Sequence, residues 1–533
     1  MKILFLNITF ILGLLLFSSN SSGAENSASE SSSEDAFVSY IQNTSLSRER
    51  LVSIIDSLLE TDSVSTRVLD ALNKKLIACP FTKDLDKEQY FTYLRSVQKS
   101  IDLFRTENIP IQAELSVLQQ QYGVIAGKMT IEVGGKEYTL QQAAQFLENE
   151  DRAFREEVYR KIQTRRLQDQ EAMHDLFTSL IQKRHQVALN AGFENYRDYK
   201  FAELGRFDYT KEDCFQFHEA VKLHVMPLIE KIYTRKKEKL GVDALKPWDL
   251  EAEPAGTKPL RPFTDGKDLY EKSVACFEQI DPFFADCLRK MNELKHFDLE
   301  SRKGKAPGGY NCPLAESGAP FIFMNSANSV RDLTTMVHEG GHAIHTFVSS
   351  HLLLNDFKHT PSEVAELASM SMELISMNHW DVFFDNEADL KSAKEEQLKD
   401  TLKTLPWVAT IDAFQHWLYT NPTHSISERT AAWENIFDRF GANFVDWSDY
   451  PEQKKNLWQK QLHLFEVPFY YIEYAIAQLG AIAIYRNYLA DPEKTLEQYL
   501  AALKLGYTKS MKEIYETAGI RFDFSAAYIK ELM

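Results

Sequence analysis

Residues 330–348 read VRDLTTMVHEGGHAIHTFV, and the rest of the chain is best understood from this stretch outward. Leu333, Met336, Val337, Ile344 and Phe347 fall at helical spacing, which predicts a helix buried along one side. Within it, His338, Glu339 and His342 form an H-E-x-x-H pattern. Four residues on a helix advance about 400°, so the two rings project about 40° apart on one face. Neutral imidazole nitrogens in that arrangement can grip one zinc ion. Glu339 lies one step round, placed to take a proton from a water at an open coordination position. Gly340 and Gly341 each cost a helix interior about 1 kcal/mol relative to Ala. Two such glycines imply that something approaches the backbone closely there. His345 falls on the same face one turn further on and reads as a core residue or a support behind the ligands.

A structural zinc site is closed by four protein ligands, whereas a catalytic one keeps a place open. The longer motif that adds Gly and a third His at positions 345 and 348 is absent, since His345 and Val348 stand there. A carboxylate downstream is the alternative, and residues 361–374, PSEVAELASMSMEL, offer Glu363, Glu366 and Glu373. If this segment is helical, Glu363 lies about 60° from Glu366, and Glu373 lies about 20° from Glu366 but two turns away. Spacing leaves Glu363 and Glu366 both open as the third ligand. Glu373 and Ser369 are then placed to support the ligands from behind.

Outward from these helices, residues 243–266 carry four Pro and two Gly and predict a long loop. A second break covers 303–311, and Ala319–Asn325 (APFIFMN) reads as a strand, taken as an exposed sheet edge to which a peptide could add. MTIEV, Gly134-Gly135 and KEYTL predict a hairpin with a two-residue turn. Helical periodicity fills most of the remainder, so the fold class is mostly α.

The chain has 533 residues, a formal charge of −17, 44% hydrophobic and 26% charged residues, which is ordinary for a soluble protein. The acid excess excludes a nucleic-acid partner, which demands a basic surface. Residues 1–24 read as a signal peptide, with Lys2, an apolar run Ile3–Phe17 and small residues up to Ala24, and imply export to the periplasm or medium. That run is too short to predict a stable membrane span. Residues 25–36 are Ser- and Glu-rich and predict a disordered linker. The five cysteines form no C-x-x-C, so no thiolate zinc site is expected, and Cys312 reads as a buried structural thiol.

H-E-G-G-H-A-I-H followed by E-L-A-S-M-S-M-E resembles the thimet oligopeptidase and oligoendopeptidase F group of zinc peptidases. RFDYTKEDC, PLAESGAPFIFMN and HLFEVPFYYIEYAIAQ extend the likeness to its Pz-peptidase branch, from about Gln112 to the C-terminus. The resemblance implies one zinc ion held by His338, His342 and Glu366, with Glu339 as the base. It implies that His463, Tyr470 and Tyr474 face the scissile carbonyl, with Tyr471 a rival to either tyrosine. Tyr470 and Tyr474, four apart, would share a helix face, and Pro468 would suit the start of that helix. The implied architecture is a large two-lobed helical zincin-like peptidase, with a deep cleft and a small β-sheet beside the zinc helix. It divides into an N-terminal helical lobe (37–205) and a catalytic region (206–533). The expected activity is hydrolysis of internal bonds in short peptides, and the sequence sets no oligomeric state. A zinc carboxypeptidase of related fold, or a peptide-binding protein without catalysis, are the alternatives; an intact Glu339 argues against the latter.

Overall fold

Helices form wherever apolar residues recur at intervals of three and four, and they gather around two cores. The structure, a computed structural model, describes residues 66–533 except 255, 258, 303, 304, 306, 307, 442 and 443. The leader (1–24), the linker (25–36) and the first part of the N-terminal lobe (37–65) lie outside the described residues. In chain order come α1 (Thr66–Ala78), α2 (Phe91–Leu103), α3 (Asn108–Gly127), β1 (Thr130–Val133) and β2 (Lys136–Thr139). They are followed by α4 (Arg152–Gln168), α5 (Gln170–Asn190), α6 (Tyr196–Glu203), α7 (Lys211–Ala220) and α8 (Met226–Leu240). After the Pro-rich loop come α9 (Gly266–Ile280), α10 (Pro282–Glu293), β3 (Phe297–Glu300), β4 (Tyr310–Leu314) and β5 (Ala319–Ser326). The remainder includes α11 (Val330–Ser349), α12 (Ser362–Ser376), α13 (Glu387–Thr420), α14 (Ile426–Phe440) and α15 (Tyr471–Ala490). No helix among the described residues is long and apolar enough to cross a membrane.

The first core is built on α11, α12 and α15, with Leu333, Val337, Val364, Leu367, Ile472 and Ile476 among its members. Small residues let the helix backbones close up: a Cβ on Gly480 would come within 2.6 Å of Leu367. The second core joins α3 and α5 to Phe414, Leu418, Trp433, Trp458 and Phe465. Helix α13 serves both, giving Leu405 and Val408 to the first and Ile411 and Phe414 to the second. At 34 residues it spans about 51 Å. Between the cores lies a cavity of about 330 Å³ whose lining includes Ile162, Ile229, Tyr233, Trp407 and Lys460.

The hairpin forms as expected, with Gly134 and Gly135 at φ 59° and 78°, the left-handed values a two-residue turn requires. The three-stranded sheet corrects the reading of Ala319–Asn325 as an edge. Strand β5 is central, parallel to β3 and antiparallel to β4. The edges are β3 and β4, and β4 is almost wholly exposed. Its Pro313 and the Gly-rich segment before it hid it as a strand, yet an edge is where proline is tolerated.

Candidate metal centre

Helix α11 begins directly after β5 through a reciprocal cap. The Ser329 hydroxyl accepts from the Asp332 N–H, and the Asp332 carboxylate accepts from the Ser329 N–H. The helix then runs beside α12, and the two glycines explain how closely. A Cβ on Gly341 would stand 2.7 Å from the Ser369 Cα and 2.8 Å from the Ala368 carbonyl, both on α12. One on Gly340 would strike the Phe277 ring of α9 at 2.6 Å. The close approach expected from the sequence is therefore made by a neighbouring helix on one side and an aromatic ring on the other.

This approach brings His338, His342 and Glu366 together, with one donor atom from each within 4.8 Å of the others. Glu366 Oε2 lies 3.4 Å from His338 Nε2 and 3.8 Å from His342 Nε2. Of the two carboxylates that spacing left open, Glu366 is the one beside the imidazoles. Glu363 is turned away, accepting a 2.7 Å bond from the Tyr209 hydroxyl in the core. Ser369 donates to Glu366 Oε2 at 3.0 Å, and Glu373 Oε1 accepts from His338 Nδ1 at 2.6 Å. The latter bond places a proton on Nδ1, so that Nε2 is the nitrogen a neutral ring would offer to a metal. Two residues behind it went unnoticed in the sequence: Gln397 donates to Glu373 Oε2 at 2.7 Å, and Thr334 donates to Gln397 at 2.9 Å. Gln397 sits on α13, and no local spacing links it to the motif.

Burial opposes charge on His338, but Glu373, Glu366 and Glu339 outweigh it and lift the ring to about 9. The spot is thus one that favours a cation. Burial holds His342 well below its usual value, helped by His338 and His345. Glu339 is buried, and its Oε2 has no hydrogen-bond partner. Burial pushes its carboxyl up to about 7, against the pull of His338. His345 is a core residue, pushed down to about 4 by burial. The donor set of two imidazoles and a carboxylate, braced from behind and with a buried unpartnered carboxylate beside it, fits a divalent metal ion.

His463 and the three tyrosines form one ring cluster. The His463 ring lies 6.1 Å from Tyr470, 4.9 Å from Tyr471 and 6.0 Å from Tyr474. The helix starts later than Pro468 suggests. Helix α15 begins at Tyr471, Tyr470 caps it, and Phe469 between Pro468 and the cap has φ 66°. That left-handed turn is held at both ends, for Arg206 donates to the Phe469 carbonyl and the Phe469 N–H donates to Gln415 Oε1 at 2.5 Å. Tyr470 and Tyr474 still meet, with ring centres 5.3 Å apart. Burial raises both phenols, and Glu366 adds to the shift in each. Both stay protonated, and each feels the charge of Glu366. The Tyr471 phenol is pushed up to about 12 by burial, against the pull of Trp407 and Gln461 beside it. Gln461 donates to His463 Nδ1 at 2.7 Å, which places the imidazole proton on Nε2.

Cys312 is exposed on β4, which corrects its reading as a buried thiol; Cys214, Cys276 and Cys287 are the buried ones. On β4 beside it, Asn311 donates to the Glu339 carbonyl at 3.1 Å, so this exposed sheet edge lies against the motif.

Fold and cluster together define a helical zincin-like architecture with a candidate metal centre. The comparisons place it further: residues 145–533 match peptidase family M3, and the chain belongs to that family. It is 23% identical over 393 residues to the oligoendopeptidase F homolog of Borreliella burgdorferi, covering 70% of this chain and 63% of that one. It is 22% identical over 382 residues to oligopeptidase PepF of Bacillus subtilis, covering 70% and 55%. The chain therefore spans somewhat over half the length of these relatives. Pz peptidase A, solved with an inhibitor, superposes with a TM-score of 0.86 at 24% identity over 97% of both chains. A structure described as an oligoendopeptidase F from Bacillus anthracis gives 0.81 at 22% identity over 97% of this chain and 96% of that one. These likenesses share the fold, and they agree with the group that the motifs resemble.

Proposed function

We propose that the protein is a zinc-dependent endopeptidase that cleaves internal bonds of short peptides. The observation that carries this reading is the convergence of His338 Nε2, His342 Nε2 and Glu366 Oε2 beside the unpartnered, buried Glu339 carboxylate. A zinc ion held there supplies Lewis acidity and lowers the pKa of water. Glu339 takes the proton of the attacking water and returns it to the leaving amine. Tyr470, Tyr474 and the His463 Nε2–H donate hydrogen bonds to the oxyanion as the carbonyl becomes tetrahedral. Glu373, held by Gln397, keeps the His338 ring aimed.

The peptide lies along β4 as an added strand, so that main-chain hydrogen bonds give affinity without strong dependence on sequence. It enters through the space between the two cores. The cavity there reaches Trp407, whose indole N–H donates to Gln461, the partner of His463. The test is an internally quenched peptide blocked at both ends, assayed with and without a chelator. Cleavage that the chelator abolishes is expected. An intact blocked peptide, alongside trimming of a free C-terminus, would make the protein a carboxypeptidase instead.

A further inference from the structure

Where the two cores meet, α7 and α13 cross, and each turns two polar side chains one helical turn apart towards the other. Cys214 and His218 come from α7, Asp412 and His416 from α13. All four are buried, at 2%, 3%, 0% and 5% exposure. One donor atom each from Cys214, Asp412 and His416 lies within 4.8 Å of the other two. His218 Nε2 stands 2.8 Å from Asp412 Oδ2, and His416 Nε2 stands 3.3 Å from the same oxygen. Aromatic rings wall the cluster off from water. Phe215, Phe201 and Phe469 pack on His416 at 4.8, 5.8 and 5.4 Å, and Phe440 packs on His218 at 6.2 Å.

Internal hydrogen bonding does not satisfy this cluster. Asp412 Oδ1 and both ring nitrogens of His416 are buried with no hydrogen-bond partner, the 3.3 Å approach to Oδ2 being out of line for one. Unmet polar atoms in an aromatic enclosure are expensive, and a cation bound by Asp412 and one ring nitrogen of His416 would relieve part of that cost.

We propose that this is a second metal site, a closed structural zinc site ligated by Cys214, His218, Asp412 and His416. One thiolate and one carboxylate cancel the charge of a divalent zinc ion, leaving a neutral unit suited to burial. Ordinary zinc bond lengths in a tetrahedron put neighbouring donors about 3.3 to 3.6 Å apart. Cys214, Asp412 and His416 lie within 4.8 Å of one another and His218 reaches them through Asp412 at 2.8 Å, so the four draw together when the ion binds. The thiolate selects a zinc-like ion over magnesium or calcium. On binding, the Cys214 thiol gives its proton to solvent, and both imidazoles bind through neutral nitrogens. Four protein ligands leave no open position, so the site joins α7 to α13 and takes no part in hydrolysis. Its ligands stand about two hundred residues apart in two helices, so a search for paired cysteines passes over it.

The purified full-length protein decides the matter. About two zinc ions per chain are expected, falling to about one in Cys214→Ser, whose remaining ion stays at the α11–α12 cluster. Exchange into cobalt(II) gives a readout independent of peptidase activity. A thiolate-to-cobalt charge-transfer band in the near ultraviolet is expected in the parent chain and in His342→Ala, and is lost in Cys214→Ser. The α11–α12 cluster contains no sulfur and cannot produce that band, so failure of the peptidase reading would leave this test intact. A parent chain with no thiolate–cobalt band overturns the proposal and makes the cluster a hydrogen-bonded His–Asp–His triad. Because that spectrum needs no variant, misfolding of Cys214→Ser would not blunt it.

Discussion

The α11–α12 cluster and the α7–α13 cluster are assembled alike, from side chains one turn apart on facing helices, yet their surroundings differ. In the first, about a fifth of each imidazole remains exposed, at 22% for His338 and 20% for His342, and Glu339 stands beside them with an unmatched oxygen. In the second, every side chain is sealed under aromatic rings. The difference teaches that donor type and spacing do not separate chemistry from architecture. What separates them is whether one side of the cluster is left open to a substrate and a proton acceptor waits there.

Four substitutions would break or sharpen this contrast, taken from the largest effect on turnover to the smallest. Glu366→Ala removes the only carboxylate among the three convergent donors, so activity should drop to background with the metal of the open cluster lost. Metal analysis with a thermal melt checks this, and a melt near that of the parent would show that the closed cluster is independent. Glu339→Gln should keep the metal and the fold while kcat falls by roughly 10²–10⁴, the range for losing a general base; steady-state kinetics on a quenched peptide would expose any smaller loss. Glu373→Ala frees the His338 ring, and metal affinity should weaken by about 10–100-fold, read by competition with a chelator of known strength. Asp412→Ala should reverse the pattern. Removing one partner of a buried charged pair costs about 3–5 kcal/mol of stability, seen in denaturant melts, while kcat per folded molecule stays within a few-fold of the parent.

Much of the open cluster was legible because its elements are local. His338, Glu339 and His342 lie within five residues, and helical geometry alone puts the rings on one face. The same geometry narrowed the third ligand to Glu363 or Glu366. Their separation depended on Tyr209, a residue more than 150 positions upstream that draws Glu363 into the core. Gln397 and Thr334 were invisible for the same reason, and so were Asp412 and His218, which become neighbours only when α7 meets α13. The edge strand misled for a different reason. An alternating apolar run marks a strand, but sheet order depends on what pairs with it, and the partner here was a proline-bearing segment. Cys312 followed that error, since it rides on the unrecognised edge.

Phe469 has a consequence of its own. A left-handed turn at such a place ordinarily employs glycine, whose freedom would let the tyrosine-bearing segment swivel. Here a phenyl ring is sunk among Phe201, His416 and Tyr419, while Arg206 and Gln415 grip the peptide groups on either side. The segment that carries Tyr470 and Tyr474 is thereby fixed at its start. On the proposed function, a peptide would meet a tyrosine pair whose backbone corner is already set, so that fitting falls to the peptide and not to this turn.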